Sequence, residues 1–452
     1  FQDISSFNYF MVSHPFLRKP VDGSYDDPIQ AYIDYRKSVE GGAWKVHYAD
    51  VTDLYNEFSY GEYTPLAIKR FVRKAYQEAD PQYLFLIGKS RRVDNQMQRL
   101  PNPLAAGTPE LVPTLGAPGS DVVYTTELDG TEHLPVFPVG RLSVTKPAEV
   151  ANYLDKVIEK ETNIKNSPWT KNFLQLSGGI SSDELIRFRE FIEDFEGIIA
   201  QDYLGAAVTN VSKTNNNAYQ TINISEEINN GTGFVTFFGH SSTNYTDIDV
   251  GRVTDPAYGY DNKGRYPVML VNGCRGGEIF YFNAFVENWM AARDKGAVNI
   301  LAHSDVGITN YLREYTEEFY EVMADTLWMT KSVGQIQKEV IKRHLQGFSI
   351  NEIDHALVEQ TNLQGDPAIP IFGHDKVDYI VREEDIRASS INGLPVTAST
   401  QFFNLAVVVN NAGRTTDEPV KVNVRRTLPN GQVLELPEIE VPPVRNRDTV
   451  YY

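Results

Sequence analysis

A single cysteine, Cys274, stands in a chain of 452 residues. No internal disulfide can form, so cysteine usage says nothing about the redox compartment. No run of about 18 uncharged apolar residues occurs, and a helix spanning a bilayer is excluded. Basic residues are the minority charge: 42 Lys and Arg face 60 Asp and Glu, a formal net charge of −18. That balance argues against nucleic acid, whose phosphates demand a basic face. It argues equally against docking by charge on an anionic membrane. His-x-x-x-His and clustered Cys/His spacings are missing, so a catalytic zinc is not indicated. No solenoid period or low-complexity tract interrupts the chain. An initiating methionine and a signal peptide are also missing. The chain opens at Phe1 and stops inside a strand-like stretch, Arg447–Tyr452. Both ends read as cut, and the expectation is a piece of a longer, processed polypeptide.

Hydrophobic residues make up 41% and aromatics 12%, enough for a sizeable core and for two or three domains. The first stretch alternates strand-like and helix-like segments. Tyr9–Val12 and Trp44–Tyr48 are strand-like, and Pro28–Val39 has helical spacing. Leu66, Ile68, Phe71, Val72 and Tyr76 recur at a helical period behind Thr64-Pro65. Tyr83–Gly88 is an apolar run closed by glycine, and this rhythm predicts a parallel sheet. Residues 89–120 carry five prolines and form a long loop of the kind that is usually functional. Pro135–Arg141 predicts a strand and Pro147–Glu161 a helix. A second α/β series starts near Trp169: strands at Phe173–Leu176, Ala206–Val211, Phe234–Phe238, Pro267–Asn272 and Ala297–Ala302. Helices are expected at Asp183–Phe195, up to Asn230, and over Glu314–Trp328 and Ser332–His344. After Gly373 the helical pattern stops, and short alternating stretches separated by Asn411–Gly413 and Pro429–Gly431 predict a small, incomplete antiparallel β-sandwich of Ig-like type. The expected division is 1–165, an N-terminal α/β subdomain; 166–375, a catalytic α/β subdomain; and 376–452, the sandwich.

Two of the buried runs end in chemistry. Phe234–Phe238 leads through Gly239 to His240, and Tyr266–Asn272 leads through Gly273 to Cys274, 34 residues later. In an open α/β sheet, reactive groups collect beyond the carboxyl ends of parallel strands. A thiol and an imidazole delivered to one crevice make a nucleophile and its base. An unpaired cysteine is ordinarily a small buried hydrophobe. Here Gly273, Gly276 and Gly277 surround it and suit a tight turn that presents a side chain. The backbone N–H groups of Ser241 and Cys274 are candidates for an oxyanion hole. His303, at a third strand end, competes with His240 for the role of base but lacks the Gly-His-Ser-Ser setting. The other six histidines have no comparable setting.

Taken together, Gly239-His240-Ser241-Ser242, Asn272-Gly273-Cys274 and Leu363-Gln364-Gly365-Asp366-Pro367-Ala368 resemble the gingipain family of clan CD cysteine peptidases. Asp53–Phe58, Tyr83–Gly88 and Val139–Ser143 extend the likeness over about residues 8 to 375. Phe237-Phe238-Gly239-His240-Ser241-Ser242 and Ile87-Gly88-Lys89 are most similar to the PorU-like sortase branch of the type IX secretion system of Bacteroidota. The resemblance implies a caspase-like α/β/α sandwich of two subdomains followed by a β-sandwich. It implies Cys274 as nucleophile and His240 as general base. The action is either hydrolysis of a peptide bond or, in the sortase branch, transfer of the acyl group to an amine. It also implies a polypeptide substrate, outer-membrane secretion-system proteins as partners and a place at the surface of a Gram-negative cell. Asp121 resembles the acid lining the specificity pocket of arginine-cutting members. Such domains often carry structural calcium, though no EF-hand loop marks a site here and no other cofactor is implied. Two departures stand out. Ser241 replaces the glycine that usually follows the histidine. Lys89 stands where an acid is common, so the residue orienting His240 is unassigned, with Glu110 and Asp94 as candidates. These departures and the appended sandwich support a second reading, a catalytically weak peptidase-like scaffold.

Overall fold

Apolar runs that are hydrophobic at every position suit strands covered on both faces. The computed structural model describes residues 3–91, 109–200, 203–280, 284–347, 349–391, 395–397, 400, 402–428 and 430–452. It builds those runs into one ten-stranded sheet. Its first half holds β1 (Tyr9–Ser13), β2 (Val46–Asp50), β3 (Tyr83–Ile87) and β4 (Val139–Leu142). The second half holds β5 (Asn172–Ser177) and β6 (Ala207–Ser212). After a short β7 (Gln220–Thr221) come β8 (Phe234–Phe238), a short β9 (Ile248–Asp249), β10 (Val268–Asn272), β11 (Asn299–His303) and β12 (Thr361–Gln364). The order across the sheet is β2-β1-β3-β4-β12-β11-β10-β8-β5-β6.

Alternation along each strand divides the core between the two faces. Tyr9, Met11, Tyr83 and Phe85 pack on one face, within a core that continues through Phe173, Phe234 and Met269. Phe10, Val12, Leu84 and Leu86 point the other way, onto Ile68, Phe71 and Val72 of the helix Leu66–Glu78. Each such side chain contributes about 1.5–3 kcal/mol on burial.

Two parallel series are present, and they share one sheet. β1 to β4 run parallel to one another. So do β5, β6, β8, β10 and β11. β12 joins the halves: it is antiparallel to β11 and meets β4 at Gln364 and Arg141. Beyond β3 and β4 the chain meets the segment that follows β10: Lys89 donates to Ile279 O at 2.7 Å and Ser143 to Glu287 Oε1 at 2.7 Å. The sequence reading missed β12 and the helix Glu352–Gln360 before it. Its polar residues, Thr361, Asn362 and Gln364, are buried all the same, because they are held by their neighbours at the joint.

The Leu363–Ala368 stretch has a structural task. Asp366 accepts from Arg36 Nε at 2.7 Å and from the Tyr32 hydroxyl at 2.7 Å. Both members of the ion pair are almost wholly buried, and Glu161 lies 2.9 Å from the other end of the guanidinium. This network ties the end of β12 to the helices Pro28–Lys37 and Pro147–Asn163.

The C-terminal strands form small antiparallel sheets. β13 (Tyr379–Ile380), β14 (Ile386–Ser390), β15 (Phe403–Asn411) and β20 (Arg447–Tyr451) make one. β16 (Val420–Val422) pairs with β19 (Ile439–Val441), and β17 (Arg425–Thr427) with β18 (Val433–Glu435). Val409, Val420, Val444 and Val450 form its small core, consistent with a β-sandwich. Lys171, itself buried, donates to Gly413 O at 2.8 Å and Arg445 O at 2.6 Å and so fastens these strands to the α/β part. Among the described residues, no helix is long and apolar enough to cross a membrane.

Candidate active site

β8 and β10 are neighbours in parallel register, Phe238 opposite Asn272. The next residues but one are His240 and Cys274, so the register carries both past the same sheet edge. Gly239 N–H donates to Asn272 O at 3.0 Å, and Ser241 Oγ donates to Cys274 O at 2.8 Å. The two loops are thus stitched together beyond the strands. Gly273 is needed for this approach: a Cβ there would lie 2.3 Å from Ser241 Oγ. Ser241, the departure from the family pattern, turns its hydroxyl onto the Cys274 carbonyl.

Cys274 is half-buried, and its Sγ lies 3.7 Å from Gly307 O. The following residue, Arg275, takes φ +58, in the left-handed region, which sharpens the turn at a cost of about 1–3 kcal/mol. Its N–H donates to Asp305 O at 2.8 Å and its side chain reaches Asp305 Oδ1 at 2.9 Å, which holds the strained residue in place. Among the described residues, neither the Ser241 nor the Cys274 backbone N–H donates to a carbonyl.

His240 packs beside Phe188, with ring centroids 6.1 Å apart. Its Nε2 lies 3.2 Å from Glu184 Oε2. The carboxylate thus faces that ring nitrogen. Burial works against the Glu184 carboxylate, but the Ile180 N–H and the His240 ring outweigh it and hold the group below its ordinary range. Glu184 stands in the first turn of the helix Ser182–Ile199, whose cap Ser181 accepts from Glu184 N–H at 3.2 Å.

Sequence reasoning missed Glu184. It looked for the orienting acid after β3, where Lys89 stands and pairs with Glu287 instead. The acid comes instead from β5, which flanks β8 on the side away from β10. The signal was present as Ser181-Ser182-Asp183-Glu184, a capping box following two glycines at a strand end. Glu110 is buried among Ser90 and the Arg91 N–H, and burial raises its pKa; no contact joins it to His240. Asp94 lies outside the described residues. Lys89 is buried against Glu287 and the Ile279 carbonyl.

His303 is fully buried, with Nδ1 3.1 Å from the Thr361 hydroxyl, and burial pushes its pKa down to about 4. It is an interior residue. Asp121 is likewise interior: Arg141 reaches its two oxygens at 2.6 and 2.7 Å, and Thr114 adds a third contact at 3.1 Å. That carboxylate is neutralised from inside and offers little charge to an incoming basic side chain. Among the described residues, no group of three or more His, Cys, Asp or Glu is arranged to hold a metal ion.

The model of peptidase family C25 matches residues 4–372. The chain belongs to peptidase family C25. Among solved structures, gingipain R (RgpB), described as an Arg-specific cysteine proteinase, superposes with a TM-score of 0.63 at 14% identity, over 98% of this chain and 93% of that one. The complex of the pro- and mature domains of RgpB from Porphyromonas gingivalis gives 0.62 at 15% identity, over 97% and 94%. Dimeric latent PorU from P. gingivalis gives 0.41 at 12% identity, over 98% and 39%, too loose a match to argue from. At these identities the structures speak for the fold, and the C25 chain has a gingipain-like α/β fold with a cysteine peptidase's architecture. No curated protein sequence matches it.

Proposed function

We propose that this C25 protein is a cysteine endopeptidase or sortase-like transpeptidase that works through an acyl-enzyme on Cys274. The observation that carries the reading is the parallel register of β8 and β10, which sends His240 and Cys274 past one sheet edge side by side. Glu184 occupies the Nε2 side of the ring, leaving Nδ1 for proton transfer. The imidazole takes the thiol proton as sulfur attacks the carbonyl carbon, and the oxyanion is met by the Ser241 and Cys274 N–H groups. The C–N bond then breaks, and the imidazolium passes its proton to the departing amine. Water or a second amine resolves the thioester.

Substrate access is supported by the surroundings. Ile180, Tyr245, Val306 and Ile308 are exposed large hydrophobics, and each adjoins a residue or loop that touches the dyad. An apolar rim of that kind suits a polypeptide segment. The transpeptidase alternative, secretion-system cargo and partners, and a location at the cell surface rest on the Phe237–Ser242 form noted above.

The test is labelling with iodoacetamide at neutral pH. Cys274 is expected to react far faster than a free thiol, and His240→Ala to remove the advantage. A rate equal to that of free cysteine overturns the enzyme and favours the scaffold. Adding a primary amine during peptide turnover separates the two enzyme readings: a transpeptidase gives mainly the amide at millimolar-order amine, whereas a hydrolase, whose thioester also reacts with amines, still gives mainly the acid.

A further inference from the structure

We infer that the buried Lys213–Asp247 pair is a positioning device for His240, setting the turn that presents Glu184 and placing a second carboxylate beneath the ring. The inference rests on the reading of His240 as the general base.

Asp247 is 2% exposed and follows the hairpin that starts at His240, with its N–H donating to His240 O at 2.7 Å. Its side chain lies under two strand ends at once. A Cβ on Gly178, just beyond β5, would meet Asp247 Oδ1 at 2.0 Å, and one on Gly239, just beyond β8, at 2.6 Å. Glycine at both places is what admits the carboxylate, which explains the glycine that precedes His240. Oδ1 itself has no hydrogen-bond partner and is buried. Oδ2 accepts from Gly179 N–H at 2.7 Å and lies 3.9 Å from Lys213 Nζ.

Lys213 is fully buried, and its ammonium donates to Gly179 O at 2.9 Å. The pair therefore grips both polar groups of one peptide residue: Asp247 the N–H of Gly179, Lys213 its carbonyl. Gly179 is followed by Ile180, whose N–H donates to Glu184 at 2.9 Å, and by Ser181, which caps the helix carrying Glu184. Fixing Gly179 fixes the start of that helix and hence the acid against His240. The unpartnered oxygen adds negative charge where the imidazolium forms, in an interior where charges are screened less than in water.

The charged groups facing the ring are few. Among the described residues, Glu184 lies against the ring and Asp247 interacts with it by charge, while Arg187 acts on Glu184 and Lys213 on Asp247. Burial raises the Asp247 pKa, opposed by the Gly179 N–H and then by Lys213.

The test is the ring titration of His240, followed by NMR with 13C-labelled histidine in the full chain carrying Cys274→Ala. The signal is assigned by its loss in His240→Ala. Asp247→Asn keeps the shape and removes the charge, and the midpoint is expected to fall by about half a pH unit or more. Lys213→Gln removes the opposing charge, and the midpoint is expected to rise. Shifts of opposite sign are the signature of charge, since a merely structural role moves both variants the same way or neither. Unchanged midpoints in folded protein, or a common direction, overturn the inference. If Asp247→Asn does not fold, Lys213→Gln alone decides it, by a rise or by none. Because the titration is made without the thiol, it is independent of the labelling experiment above. Slow alkylation of the unmodified chain would refute the peptidase reading while leaving the coupling measurable.

Discussion

Asp121→Asn separates two roles for one carboxylate. As the acid of a specificity pocket, Asp121 would face substrate; in the structure it is 2% exposed and clamped by Arg141, which is 0% exposed. The substitution leaves a guanidinium in the interior without its counter-charge and turns an amide N–H toward it. Arg141 keeps contacts to the carbonyls of Gly88, Val112 and Pro113, at 2.8, 2.7 and 3.1 Å. That residual solvation puts the cost near the lower end for a broken buried pair, about 3 kcal/mol. Unfolding entropy of about 2.1 cal/mol/K per residue, over 452 residues, makes that a fall in Tm of roughly 3 °C if the chain melts as one unit. The assays are calorimetry and cleavage of fluorogenic peptides with Arg, Lys or a neutral residue before the scissile bond. The expected result is a lower Tm with the ranking of the peptides unchanged. A variant that melts with the wild type and loses only its cleavage after basic residues would refute the reasoning, because it would place the carboxylate in contact with substrate.

Three further outcomes follow from the site and its surroundings. Glu184→Gln removes the charge beside His240 but keeps an acceptor for the Ile180 N–H; Cys274 alkylation at neutral pH should slow about tenfold, matching the loss of one charge-assisted contact worth about 1.5 kcal/mol, with little change in Tm. Gly273→Ala drives a Cβ to 2.3 Å from Ser241 Oγ, costing about 1–3 kcal/mol by overpacking, and adding Ser241→Gly should recover most of it in a double-mutant cycle read by denaturant unfolding. His303, held near a pKa of about 4 in the fold against an ordinary 6.5, binds fewer protons than the unfolded chain between those values. Stability it contributes is therefore complete above about pH 6.5 and lost as pH falls toward 4, about 3 kcal/mol in all. Comparing denaturant midpoints of wild type and His303→Asn at pH 7 and pH 4.5 should show the wild type losing more.

The sequence alone determined most of the elements and singled out Cys274 and His240 as the candidate reactive residues. Apolar runs closed by glycine are strands wherever both sheet faces are covered, which is why Tyr83–Gly88, Phe234–Gly239 and Tyr266–Gly273 were legible as strands. Cys274 and His240 were legible for the same reason, as polar side chains at the ends of such runs. Only the tertiary structure decided which strand ends share an edge. β12 is short and polar, with no periodic signature, yet it joins the two halves into one sheet. The tertiary structure puts β5 beside β8, so that Glu184 arrives beside His240 from a helix cap. It also buried Asp121 against Arg141. Partnership between groups distant in the chain is fixed by strand order, and strand order is set by packing of the whole sheet rather than by any local pattern.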